Sequence, residues 1–277
     1  MSTAVNRQSN PGEYGTVAGT LKFVFTCWKL NIAGVMEFRL SFFLTAGMMF
    51  INNCIWLVFW SIFFAKFPVL NGWELRDVML LWAVGAGGFG WANMLFGNFT
   101  RVAHLVASGQ LDVYLTQPKP VILNMLASRM SLMAAGDFIF GLVIYGLVGD
   151  HTIRGALLFA AGLLIAGLLF LFFTLAAHSL AFFIGNAEGL ASQLFNGFLA
   201  LTTYPTDIFR GTVKIILFTA VPAGFISYLP IGLFNQVHWP FLIGAVAMTL
   251  FVTAGSTALF YWGLRRYASG NQLTMRS

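Results

Sequence analysis

Charge is what this chain has least of. Aspartate, glutamate, lysine and arginine make up 9% of its 277 residues, against about 25% in soluble domains. So few charges cannot coat a soluble fold when 58% of the chain is hydrophobic. Cysteine is almost missing. Cys27 and Cys54 have no CxxC or Cys/His neighbour, so both read as small packing residues of helices. A nucleotide loop is lacking too. The run Gly85-Ala86-Gly87-Gly88-Phe89-Gly90 has no Lys-Ser/Thr after it and lies in an apolar stretch that no phosphate reaches. Ala83/Gly87 and Ala86/Gly90, at four-residue spacing, fit close helix packing instead. No Ser/His/Asp, Cys/His or paired-carboxylate set stands at usable spacing, which leaves an enzyme reading little support. His104, His151 and His238 fall in separate connections and argue no metal site. Met1 to Gly15 lacks the apolar core of a secretory signal and is expected to be a disordered tail over residues 1–16.

What is present is apolar surface. Thirty phenylalanines and eight tryptophans would leave large exposed patches on a water-soluble domain, and the mean hydropathy is +0.81. Lipid is the matching solvent. A span takes about 20 apolar residues, so the chain has room for about six with short connections. The net charge of +6 does not signal nucleic acid, because the basic residues sit mainly between the hydrophobic runs.

From Val17 to Arg39 the pattern is amphipathic. Val17, Leu21, Val24, Trp28, Ile32 and Val35 share one stripe, with Lys22, Thr26, Lys29 and Glu37 off it. Such a helix is expected to lie along the membrane surface. Residues 17–277 are then expected to form one transmembrane domain, with spans at 40–64, 78–99, 121–148, 155–184, 187–205 and 241–264. Between the last two, Gly211, Pro222, Gly224, Pro230 and Gly232 break an apolar stretch into pieces too short to cross. That segment reads as a re-entrant element on the outer side.

Orientation follows from the basic residues. With both termini inside, Arg7, Lys22, Lys29, Arg39, Arg101, Lys119, Arg129, Arg265, Arg266 and Arg276 are cytoplasmic, and Lys66, Arg76, Arg154, Arg210 and Lys214 are outer. Ten against five favours this arrangement and makes the insertion from Arg101 to Lys119 cytoplasmic.

Several polar residues fall at membrane depth. Asp137 is the one acid deep in a span, and intramembrane acids are functional candidates. Arg129 stands roughly 80° round a continuous helix and about 12 Å along it, too far to pair directly. Asp137 must therefore pair with another span or face water, and a proton-coupled carrier is the rival reading. Such a carrier is expected to show paired internal repeats or several buried acids, and the sequence has neither. His178 reads as an interhelical hydrogen-bond donor. Asn52, Asn53, Asn93, Asn98, Asn196, Thr202 and Thr203 fit either interhelical hydrogen bonds or the lining of a path.

In the insertion, Val102, Leu105 and Val106 share one side of a short helix that Gly109 ends. A second turn runs from Leu111 to Leu115, before Pro118. Leu105, Val106 and Leu111 are expected to give this loop an exposed apolar surface on which a cytoplasmic partner could dock.

Gly72-Trp73-Glu74 ahead of the second span, then Gly109-Gln110-Leu111-Asp112-Val113-Tyr114-Leu115 and Gln117-Pro118 after it, resemble the compact bacterial permeases of type-2 ABC exporters. Pro205, the broken segment and Pro230 fit the same pattern, so the resemblance covers essentially the whole chain. It implies an all-α permease in the cytoplasmic membrane, paired with a second permease and two separate ATPase subunits. ATP and magnesium would be bound by those partners, with no cofactor, metal or catalytic residue in this chain and no nucleic acid bound. It also implies that the loop after the second span is the coupling helix. Arg101, Leu105, Val106, Leu111, Asp112 and Leu115 are the candidate coupling residues. Substrate would pass between second and fifth spans, with Asn93, Phe96, Asn98, Phe195, Asn196, Phe198, Thr202 and Thr203 as candidates for the path.

Overall fold

The computed structural model describes residues 17–185, 187–235 and 237–267; the expected tail at 1–16 lies outside them. Every regular element among the described residues is helical. In lipid this is the direct consequence of composition, because a helix satisfies its own backbone amides and carbonyls.

The first helix, α1 (Val17–Glu37), is followed by α2 (Arg39–Lys66). α2 stops where Pro68 brings no amide and restricts Phe67. Asn71 and Gly72 then turn the chain with φ of 49° and 87°. The next helix, α3 (Leu75–Phe96), starts in a capping box. The Glu74 amide donates to Asp77 Oδ2 at 2.9 Å, and the Glu74 side chain accepts from the first turn. A 3₁₀ stretch (Gly97–Arg101) carries α3 into α4 (Val102–Ala107), so Leu75–Ala107 forms a 33-residue rod. Gly109, at φ 72°, ends it. Three shorter helices follow: α5 (Asp112–Leu115), α6 (Val121–Ala127) and, after a 3₁₀ turn, α7 (Ala135–Val148).

α8 (Ile153–Ser179) is capped by Thr152, whose hydroxyl accepts from the Gly155 amide at 3.0 Å. In the preceding turn, hydrogen bonds from the Thr152 amide and hydroxyl hold the Asp150 carboxyl below the usual carboxylate range. α9 (Ala187–Thr202) leads to α10 (Thr212–Phe218), α11 (Ala223–Ser227), a π-helical turn (Pro230–Asn235) and α12 (Trp239–Leu264). α11 packs on α3, α8 and α9 and is buried throughout.

Glycine lets α3 sit at the centre. A Cβ on Gly141 of α7 would stand 2.5 Å from the Ala83 carbonyl oxygen, and one on Gly90 would stand 2.4 Å from the Phe138 amide nitrogen. The glycine run is therefore a helix-packing surface, worked through backbone approach. The opposite side of α2 keeps Leu40, Phe43, Met48, Ile51, Ile55 and Ile62 exposed, as a lipid-facing helix does.

Among the described residues, four helices are long and apolar enough to cross a membrane, or five if one bent pair forms a single span. That pair corrects the expectation of a continuous helix at 121–148. α6 and the segment Leu132–Val148 meet at 71°. Arg129 lies in the break with its side chain exposed, where an unbroken span would have drawn the charge into apolar surroundings. Neighbours take up the freed backbone groups. Asn31 Nδ2 donates to the Ser128 carbonyl at 3.1 Å, and the Ser131 amide donates to the Asn93 carbonyl at 3.2 Å. α9, expected as a span over 187–205, has 16 residues; at 1.5 Å each that is about 24 Å, short of the roughly 30 Å hydrocarbon layer.

Candidate functional site

Two regions gather the residues singled out in the sequence. The first is the insertion formed by α4 and α5. Its base belongs to the core of the protein. Leu105, Val106 and Leu111 are 3%, 6% and 0% exposed, packed with Val102, Ala103, Met125, Leu175 and Phe260. The expected exposed apolar surface is thus not made by these three side chains. The loop's hydrogen-bonded fold explains the difference, since the Leu111 amide reaches back to the Leu105 carbonyl at 3.1 Å and turns Leu111 inward. The bare face is instead Ala107, Gln110, Val113, Leu115 and Thr116. Arg101 and Asp112 are half-buried. Asp112 stands beside Tyr267 at the far end of the described chain. Burial first, and then the Asp112 carboxylate, push the Tyr267 hydroxyl up to about 12.

The base is tied to the helices around it. The Ala103 amide donates to His178 Nδ1 at 3.3 Å, so the ring nitrogen in this contact is an acceptor and not the expected donor. Asn98, 2% exposed, donates through Nδ2 to the Met125 carbonyl at 2.8 Å and to Ser128 Oγ at 2.9 Å. It joins the end of α3 to α6. Phe96 meets Trp28 of α1 edge-on at 5.7 Å, and Trp28 Nε1 donates to the Leu95 carbonyl at 2.8 Å.

The second region is a cavity of about 410 Å³ between α2, α3 and α9, closed behind by Asp137 of α7 and Phe170 of α8. Asn52 and Asn53 enter it halfway along α2. α3 supplies Leu81, Trp82, Gly85, Ala86 and Phe89, and α9 supplies Asn196, Leu199, Ala200 and Thr202. Thr203 and Tyr204 complete the wall. Of the expected path residues, Asn196, Thr202 and Thr203 come together here, whereas Asn93, Phe96, Asn98, Phe195 and Phe198 lie outside the lining. Phe195 meets Phe89 in a tilted ring contact at 5.9 Å, and Phe198 is buried against Phe170 and Phe173.

Asp137 finds its partner on another helix. Asn53 Nδ2 donates to Asp137 Oδ1 at 2.6 Å, and both side chains are buried, at 6% and 4% exposure. The two residues are 84 apart in sequence, so no spacing rule could pair them. Trp56 and Trp82 were equally unreadable as a site. They stack at 5.6 Å only because α2 and α3 pack there. No group of three His, Cys, Asp or Glu that could hold a metal comes together among the described residues.

Among the described residues, a bundle of helices long and apolar enough to cross a membrane defines a multi-pass membrane protein. The particular family is explicit in the sequence. The description ABC-2 family transporter protein matches residues 50–270, and the chain belongs to that family as an ABC transporter permease. Such transporters work with ATPase partners, and the proton-coupled carrier is not favoured. No curated protein matches the chain.

Proposed function

We propose that this chain is the membrane half of an ATP-driven exporter, coupled to separate ATPase subunits through the α4–α5 insertion. Family membership carries this reading. The shape of the insertion supports it: a buried base fused to the α3 rod, and a bare apolar outer face at Val113 and Leu115, 60% and 39% exposed. ATP and magnesium are held by two partner ATPases, and this chain binds neither. Closure of those partners pushes on the insertion and moves α3, with α6 and α7 following, as levers of a two-state element. A second permease completes the transporter.

The bilayer is the cytoplasmic membrane, with both termini and the insertion inside. α9, too short alone, crosses as the fifth of six spans together with the non-helical chain that adjoins it, the short helices after it form a re-entrant outer element, and α1 lies at the membrane surface. The ten-to-five distribution of basic residues supports this orientation. Substrate passes beside α3 and α9, where Asn196, Thr202 and Thr203 face the cavity.

The test separates the outer face of the insertion from its base. Val113→Asp with Leu115→Asp alters only exposed side chains, and such substitutions shift stability by about 0.5 kcal/mol. Chain abundance is expected to stay unchanged while recovery of a Walker-motif ATPase in pull-down falls at least about tenfold, as loss of a buried anchor implies. Equal recovery of the ATPase with wild type and double variant would remove the coupling assignment.

A further inference from the structure

The cavity between α2, α3 and α9 contains a buried acceptor that the protein itself does not use. Asp137 Oδ1 is bonded to Asn53, but Oδ2 has no hydrogen-bond donor although the side chain is 4% exposed and lines the cavity. An acceptor left without a donor at this depth is costly. A ligand that brings an N–H removes that cost. Among the described residues, no lysine, arginine or histidine lines the cavity, so the wall they form presents one acid and no base. An anionic ligand would meet the carboxyl with nothing to offset it.

The rest of the wall specifies the body of the ligand. Trp56 and Trp82 stack with an interplanar angle of 22°, and Phe89, Phe170, Met49 and Leu81 add apolar surface. Aromatic faces of this kind attract cations as well as flat hydrocarbon. Trp82 Nε1 is also buried without an acceptor. The rim is more open, since Asn52, Asn196 and Ala200 are exposed.

We propose that the cavity takes up an amphipathic amine, whose N–H is received by Asp137 Oδ2 while its apolar body lies against Trp56, Trp82 and Phe89. This names the substrate class of the exporter and rests on the permease reading. Asn53 is a positioning residue: it fixes one carboxyl oxygen and leaves the other turned to the ligand.

Dansylcadaverine, a primary amine on a flat fluorophore, is a suitable probe, with its N-acetyl derivative as the uncharged control. The full chain is placed in phosphatidylcholine nanodiscs and energy transfer from tryptophan to dansyl is titrated. Saturable binding of the amine is expected, with the acetylated probe at least about tenfold weaker, as loss of a charge-assisted bond implies. Asp137→Asn keeps the shape and can keep the contact with Asn53. It is expected to lose about tenfold in affinity for the amine and to leave the acetylated probe unchanged. Ala200→Phe, on the exposed rim, narrows the mouth without touching the floor and should weaken both probes. Adding phosphatidylethanolamine to the discs identifies the source of the amine. Competition points to a lipid headgroup and no competition to a soluble amine, and both results support an amine site. Equal binding of the two probes by wild type, or undiminished amine binding by Asp137→Asn, would overturn the proposal. Neither result bears on ATPase recovery, so the two readings fail separately.

Discussion

Asn98 illustrates how one polar side chain can be read two ways until its neighbours are known. At membrane depth an asparagine can line a path or tie helices together. Here its amide holds the Met125 carbonyl and the Ser128 hydroxyl inside a buried cluster, and Ser128 Oγ in turn bonds the Tyr114 hydroxyl at 3.1 Å. Asn98→Ala is therefore expected to cost about 1–3 kcal/mol, the penalty of leaving buried partners unsatisfied. A thermal melt in detergent checks this, and a shift in substrate preference with unchanged stability would contradict it. Tyr267 gives a second residue-level expectation. Its hydroxyl is raised from 10.0 to about 12, so the folded chain holds that proton more tightly than the unfolded chain does. Stability tied to it is present below pH 10 and lost as pH rises from 10 to about 12. Tyr267→Phe should flatten that loss, which denaturation at pH 9 and pH 11 would reveal by a smaller difference than in wild type.

Among the elements, the α4–α5 insertion combines two roles that its sequence does not separate. Leu105 and Leu111 both enter the protein core, because Gly109 turns the chain back between two very short helices, whereas Leu115 faces outward. Leu105→Ala with Leu111→Ala thus removes core packing, and buried leucines typically cost about 2–5 kcal/mol each when truncated. The double variant is expected to lose abundance and melt earlier, in contrast to Val113→Asp with Leu115→Asp. A double variant at Leu105 and Leu111 that keeps full abundance and melting temperature would contradict their place in the core. The bend between α6 and α7 follows the same logic. Asn31, Asn93 and Asn98 supply hydrogen bonds around the break in which Arg129 lies exposed.

For the whole molecule, the proposed topology makes a direct prediction about which side faces the cytoplasm. In a chain with Cys27 and Cys54 replaced, Asp150→Cys should react with an impermeant thiol reagent added outside, and Ser108→Cys should not. Asp150 is exposed in the turn between α7 and α8, so a lack of labelling there would reflect sidedness and not burial. Labelling at position 108 from outside would sink the six-span arrangement.

Sequence alone determined the solvent and the class of element. A chain with 9% charge and long apolar runs must satisfy its backbone within helices in lipid, and that physics needs no partner residue. It also marked the glycine surface of α3, the end of α4 at Gly109 and the polar groups at depth, because each depends on residue type or local spacing. The motif order further sufficed to suggest the ABC permease family, to which residues 50–270 belong. Only the tertiary structure decided which of those polar groups meet. Asn53 reaches Asp137 across 84 residues, α6 breaks away from α7 at 71°, and Leu111 turns inward while Val113 turns out. Each of these depends on where a distant helix packs, and periodicity along one helix holds no information about the position of another.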